Sequence, residues 1–450
     1  MAKNKINTSV LSGFVELLPQ SQFVFDTVKS IIENTYKNAG FVAIDTPTIE
    51  KSEVLFAKAG GETEKQVYRF TKGDNDLSLR FDLTVPFARY VADHYANLTF
   101  PFKRYQIGKV YRGERAQKGR YREFFQADID IVAENNLSIM YDVEIISTII
   151  QTISKLSSQF NLGNFKVKVS NRKIWDGFFK QFGLDDTKKV ESVAIIDKRY
   201  KFKTEDDFKA ELKDKIGDEK IFNLAMALLK IEYIPNVGIS IPEPHYKDFS
   251  FIKDNELMKE GISELETVMK YLPLSNAEVD LSIVRGLDYY TGTVFETYLQ
   301  NYPEFGSVSS GGRYEHLCDF YTDKIICGVG GSIGLSRLFI PLIEDGKIQI
   351  DTSMTDIVIL PQNENCYTSA IKIKTELNEK IDAKVNVIFE NKKFKKMMEY
   401  ANKINAKFAI IIGDDELQNN TFTLKNMITG EQQTISSIAL IETITKTLNK

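Results

Sequence analysis

Two runs of strand-forming residues, Phe102 to Tyr111 and Arg122 to Val132, follow each other with only a short basic loop between them. Consecutive strands with no helix between them predict an antiparallel sheet. A third strand-like run, Leu77 to Asp82, precedes them. In the run from Arg122 the side chains sort by period two. Phe125, Ala127, Ile129 and Ile131 share one face, and Gln126, Asp128 and Asp130 share the other. The first face requires a core. The second sets an amide and two carboxylates in a row, which a surface strand tolerates and a binding cleft uses; because aspartate is disfavoured in strands, the pattern leans toward a cleft. Likewise Arg80, Asp82 and Thr84 fall on one face if the run through Leu79-Arg80-Phe81-Asp82-Leu83-Thr84 is a strand.

With 450 residues the chain exceeds one ordinary core, and two or three domains are expected. Ser21 to Lys37 reads as an amphipathic helix with Phe25, Val28, Ile32 and Tyr36 at helical spacing, stopped by Ala39-Gly40. A second helix is expected over Met140 to Leu156. From about Phe165 to Leu272 the chain turns Lys-rich and mainly helical, which suggests an insertion splitting a catalytic domain. Strand patterns resume at Val279 to Val284 and Thr293 to Leu299. After a linker at Asp345-Gly346-Lys347, strands at 356–360, 385–389 and 408–412 alternate with helices at 367–380 and 394–405. That alternation predicts a small α/β domain with a largely parallel sheet.

The residue inventory narrows the chemistry. Cys318, Cys327 and Cys366 are widely spaced with no CxxC pair, so neither a zinc site nor a disulfide framework is expected, and a cytoplasmic setting is. His94, His245 and His316 have no spaced partners. Catalysis must then rest on arginine, carboxylate and bound metal. No apolar run suits a signal peptide or a membrane span. A net charge of −4 does not decide for or against nucleic acid; Lys392, Lys393, Lys395, Lys396, Lys403 and Lys407 form a basic cluster, which taken alone reads as a solvated helix face.

Four further strings carry ligand chemistry. Arg285-Gly286-Leu287-Asp288-Tyr289-Tyr290 and Ser310-Gly311-Gly312-Arg313-Tyr314 set guanidinium and phenol groups beside glycine backbone that a ligand can approach closely. Tyr111 to Arg122 is an arginine-rich loop between strands, able to hold a polyphosphate at the strand ends. Gly328-Val329-Gly330-Gly331-Ser332-Ile333-Gly334-Leu335-Ser336-Arg337 is a glycine-rich entry to a helix. It lacks the GK[ST] of a P-loop and the spacing of GxGxxG.

The RGLDYY and GGRY strings resemble the two signature motifs of the histidyl-tRNA synthetase family. The hairpin with its basic loop resembles motif 2 of class II aminoacyl-tRNA synthetases. Pro47 fits motif 1, through which that class dimerises, and the run ending at Arg337 fits motif 3. The resemblance is in the expected order and covers nearly the whole chain, with the insertion matching loosely. It implies an α+β catalytic domain on an antiparallel sheet over 1–345, with a helical insertion at about 165–272. An α/β anticodon-binding domain would follow over 352–450.

Such an enzyme would activate L-histidine with ATP, with Mg²⁺ on the phosphates, and pass it to the 3′ end of tRNA. By resemblance Asp82, Leu83, Thr84, Arg112, Gln126, Asp130, Arg285, Tyr289 and Tyr290 would hold histidine. Arg112, Glu114 and Arg337 would hold ATP, and Arg285 and Arg112 would be catalytic. Arg120 and Arg122 would face nucleotide or the tRNA acceptor end. A cytoplasmic homodimer is implied. The competing expectation is a non-catalytic, histidine-binding regulatory subunit of ATP phosphoribosyltransferase. Such proteins usually lose motif residues and the last domain, both of which are kept here. A generic nucleotide-binding module would explain the C-terminal domain but not the ordered motifs.

Overall fold

The computed structural model describes residues 6–57, 62–115, 117, 119–240, 252, 254–284, 290–348, 353–390 and 392–448. The chain divides into two compact units, one of Met1–Glu16 with Phe25–Ile348 and one of Leu17–Val24 with Gln349–Lys450.

The first unit is organised by an eight-stranded sheet. Its strands are β1 (Val42–Ala43), β2 (Phe102–Tyr111), β3 (Glu123–Glu134), β4 (Phe165–Asn171), β5 (Ala277–Val279), β6 (Thr293–Leu299), β7 (Ser307–Tyr314) and β8 (Ile326–Gly334). Their spatial order is β1-β2-β3-β8-β7-β6-β4-β5. The run from β2 to β4 is antiparallel throughout, and only the short edge strands β1 and β5 lie parallel to their neighbours. The hairpin of β2 and β3 forms as the sequence predicts, with Tyr111 opposite Glu123 and Phe102 opposite Val132. Ala127, Ile129 and Ile131 are fully buried on one face of β3. Behind that face lies the long helix Met140–Phe160, which presents Ile145 and Ile149 toward Gly331. Each fully buried aliphatic side chain here contributes about 1.5–3 kcal/mol to folding. The N-terminal helix Pro19–Asn38 buries Phe25, Val28, Ile32 and Tyr36, and the Tyr36 hydroxyl donates to the Ala127 carbonyl at 3.2 Å.

Three local expectations change. The strand expected to reach Asp82 ends at Leu79, and a helix the sequence reading omits, Thr84–Asp93, begins almost at once. Asp82 starts it, with Oδ1 accepting the Val85 N–H at 3.0 Å in the manner of a cap. Pro86 sits in the first turn, where its missing N–H costs nothing. Arg80, Asp82 and Thr84 therefore share no strand face. Arg80 turns to the carbonyls of Thr46 and Lys109, while Asp82 and Thr84 remain at the cleft described below. Second, Phe165–Asn171 is an inner strand of the large sheet rather than part of the helical insertion. The helices follow it at Arg172–Gln181, Asp186–Asp197, Glu205–Ile216, Glu219–Leu228 and Glu256–Tyr271. Third, the strand pattern at 279–284 resolves into β5 at Ala277–Val279 and a turn.

The second unit carries a five-stranded sheet of β9 (Ile357–Pro361), β10 (Val385–Val387), β11 (Phe408–Ile412), β12 (Thr421–Asn426) and β13 (Gln432–Ser436). The order is β10-β9-β11-β12-β13. The first three are parallel, as alternation with helices requires, and two antiparallel strands extend the edge. Ile357, Ile359, Ile373, Leu377, Phe408 and Ile410 build its core.

Candidate active-site cleft

Strand register decides what the polar face of β3 meets. Asp130 lies between Arg104 on β2 and Gly330 on β8, and Asp128 lies between Gln106 and Ser332. Residues directly opposite across strands project to the same side. Above this face opens a cleft of about 230 Å³, lined along its floor by Gln126, Asp128 and Asp130. Asp82 and Thr84 line it from the turn into the helix Thr84–Asp93. Tyr290, Tyr314, Ser332, Arg112 and Arg337 complete the polar wall.

Asp130 is held on two sides. Its Oδ1 accepts the Tyr314 hydroxyl at 2.8 Å, and its Oδ2 meets Arg104 Nη2 at 2.6 Å. Arg104 is wholly buried, lies 4.3 Å over the Phe87 ring and approaches the Leu83 carbonyl at 3.4 Å. Burial pushes the Asp130 carboxyl up to about 6, with nearby Asp82 adding to the rise, against the pull of Arg104 and Tyr314. Burial raises Asp82 as well. Gly330 is glycine because a Cβ there would stand 2.0 Å from Asp130 Oδ1. Gly330→Ala is expected to force the carboxylate off its partners at a cost of about 1–3 kcal/mol. A denaturation midpoint equal to the parent's would show that Asp130 tolerates displacement.

Two guanidinium groups stand on the remaining wall. Arg112 Nε donates to the Phe81 carbonyl at 3.0 Å, and its guanidinium lies 5.2 Å over the Phe124 ring. Arg337 Nη2 donates to the Phe305 carbonyl at 2.9 Å from the first turn of the helix Leu335–Glu344. Ser336 Oγ fixes that turn by accepting the Phe125 N–H at 2.8 Å. Carboxylates thus dominate one region of the cleft and arginines another. A ligand with a cationic part and a polyanionic part matches that division.

The expected site residues divide accordingly. Asp82, Thr84, Arg112, Gln126, Asp130, Tyr290 and Arg337 line the one cleft. The Leu83 side chain is fully buried, and its carbonyl is what approaches the site, through Arg104. Glu114 stands 3.9 Å from Arg120 in the basic loop, where its carbonyl also accepts Arg122 Nε. Arg285 and Tyr289 lie outside the described residues. Arg313 of the GGRY string leaves the cleft entirely, gripping buried Asp142 and the carbonyls of Leu137 and Ser138. Arg104, absent from the expected set, is identified by the pairing register of β2 and β3, which sets it opposite Asp130. Among the described residues no group of three or more His, Cys, Asp and Glu stands at metal-binding spacing.

A family model described as histidyl-tRNA synthetase matches residues 13–338, and one described as an anticodon binding domain matches 356–447. The histidine–tRNA ligase of Clostridium tetani is 45% identical over 447 residues, 97% of this chain and 98% of that protein. That of Clostridium acetobutylicum is 46% identical over 441 residues, with 96% and 99% covered. Among solved structures, a histidyl-tRNA synthetase from Nostoc sp. PCC 7120 superposes with a TM-score of 0.84 at 33% identity, over 98% of this chain and all of that one. A structure from Bacillus halodurans C, described as an ATP phosphoribosyltransferase regulatory subunit/histidyl-tRNA synthetase, has a TM-score of 0.71 at 18% identity, a likeness of fold alone.

Proposed function

The chain belongs to the histidyl-tRNA synthetase family, and on that premise we propose that its cleft joins L-histidine to ATP and then charges tRNA with the product. One observation carries the reading. A buried carboxylate, Asp130, is presented by Tyr314 and Arg104 in the same cleft that holds Arg112 and Arg337. Asp130, with Tyr290, accepts and reads the imidazole. A side chain without ring N–H groups offers these polar groups nothing to engage, which disfavours it. Asp82, Thr84 and Gln126 take the α-ammonium.

In the first step a histidine carboxylate oxygen attacks the α-phosphorus of ATP, and the bond to pyrophosphate breaks. The carboxylate is already the nucleophile, so no general base is required. The demand is alignment and neutralisation of charge. Arg112 clamps the α-phosphate, and Arg285 joins it by family resemblance. Arg337 serves the adenine and the outer phosphate. Mg²⁺, which keeps water and phosphate oxygens as ligands, would neutralise the outer phosphates when bound with ATP, and Glu114 is the carboxylate of the basic loop. In the second step a hydroxyl at the tRNA 3′ end attacks the activated carbonyl and AMP leaves.

The second unit supplies the tRNA contact. Lys392, Lys393, Lys395 and Lys396 are exposed around the start of the helix Phe394–Lys403. Lys392 lies 3.9 Å from Glu390, and Lys407 is paired more closely, with Asp356 at 3.1 Å. Replacing the four by glutamine should weaken tRNA binding and lower the slope of log K against log salt by up to about 3 units. An unchanged slope would return the lysines to ordinary solvation. A homodimer in the cytoplasm completes the reading. It is supported by the fit of Pro47 to motif 1 and by three cysteines that are all free and buried; no described helix is long and apolar enough to cross a membrane.

The test is charging itself. With ATP, labelled histidine should become bound to the 3′ end of tRNA. Histidine binding without charging would overturn the proposal and favour a regulatory, non-catalytic protein.

A further inference from the structure

Asp128 lines the cleft between Gln126 and Asp130, and no role above uses it. It is 2% exposed and hydrogen-bonded to Ser332, yet its Oδ1 has no hydrogen-bond partner among the described residues. The neighbouring Gln126 gives its Nε2 to Ser332 Oγ at 3.1 Å and likewise leaves Oε1 without a partner among them. These two acceptors project from one strand face, two residues apart, or roughly 7 Å along the strand. Buried polar atoms in native proteins are nearly always satisfied, and an exception beside a cleft calls for an explanation.

Charge points the same way. The groups that face Asp128 are Arg104 from β2, Asp130 from its own strand, Asp82 from the turn and the Tyr36 hydroxyl from the N-terminal helix. Three carboxylates thus gather around Arg104, which already places Nη2 on Asp130 at 2.6 Å, while Arg112 also acts on Asp82. The region carries an excess of negative charge that a cationic ligand group would balance.

We propose that Asp128 is a substrate-binding residue, whose Oδ1 accepts a hydrogen bond from the α-ammonium of the amino acid beside Gln126 and so selects ligands that carry that charge. The proposal rests on the reading that this cleft binds histidine. It separates Asp128 from Asp130, which reads the ring. Burial, with Asp130 and Asp82 adding to it, lifts the Asp128 carboxyl to about 7. Its negative charge is therefore gained as pH rises through about 7 and lost as pH falls.

The experiment compares two probes by calorimetry. Histidinol keeps the ring and the ammonium, and imidazolepropionate keeps the ring but lacks the ammonium. In Asp128→Asn, histidinol should bind at least about tenfold more weakly while imidazolepropionate changes less than about twofold. In the parent the preference for histidinol should fall from pH 8 to pH 6, and the variant should flatten that dependence. The two imidazoles titrate differently, one beside an ammonium and the other beside a carboxylate, so each binding constant is corrected for its probe's own measured ring protonation before the ratio is taken. Equal effects on both probes, or none, would overturn the role of Asp128. If the variant does not fold, the parent's ratio decides, and a ratio independent of pH overturns it. Failure of the parent to exchange pyrophosphate with histidine would instead overturn the function on which the proposal rests.

Discussion

Arg112→Ala should lower histidine-dependent pyrophosphate exchange by about a hundredfold or more in kcat/KM. The side chain is tied to the Phe81 carbonyl and lies over Phe124, so its guanidinium is already aimed before any ligand arrives. Its hydrogen bond to the Phe81 carbonyl and its ring contact lie at a partly exposed position, and losing those two costs roughly 1 kcal/mol of stability. Lysine should not rescue the variant, because one compact ammonium cannot reproduce the planar fork that spans two phosphate oxygens. Exchange within a few-fold of the parent would remove Arg112 from the chemistry.

Arg104→Met should have the largest effect on folding, about 3–5 kcal/mol, because it strips a buried carboxylate of its cation. The pH dependence gives the cause a signature. Asp130 already titrates near 6 in the folded protein, and Arg104 is what holds it from rising further. In the variant the folded state binds its protons still more tightly than the unfolded chain does. The stability such a group contributes is present below its unfolded value and is lost as pH rises through the folded value. The gap between parent and variant should therefore widen from pH 5 to pH 8, as read by urea denaturation. A gap independent of pH would show that Arg104 matters for packing on Phe87 rather than for charge.

What the sequence disclosed follows the reach of its periodicities. On β3, period two alone separated Phe125, Ala127, Ile129 and Ile131 from Gln126, Asp128 and Asp130; the structure buries the first set except Phe125, which is half-buried, and lines the cleft with the second. The same reasoning misplaced Arg80, because a strand pattern carried past Leu79 does not register a helix that Asp82 starts. Arg104 was out of reach for another reason. Its importance comes from a partner across the hairpin, and pairing register is a tertiary property that neither strand states on its own. Arg313 is the converse. An arginine beside two glycines resembles a ligand clamp, and it does fork onto a carboxylate, but that carboxylate is Asp142 of the same protein. In the second unit, strand-helix alternation identified the parallel strands, while β12 and β13, joined to each other without a helix, fell outside that pattern.

Pyrophosphate exchange with each of the twenty amino acids in turn tests the central claim most directly. A cleft that pairs Asp130 and Tyr314 with Arg112 and Arg337 should support exchange with histidine and ATP, and at least about a thousandfold less with any amino acid lacking an imidazole. Exchange supported equally by glutamine or another side chain would contradict the assignment of Asp130 to the ring, and no exchange with any amino acid would contradict the assignment of the cleft to activation.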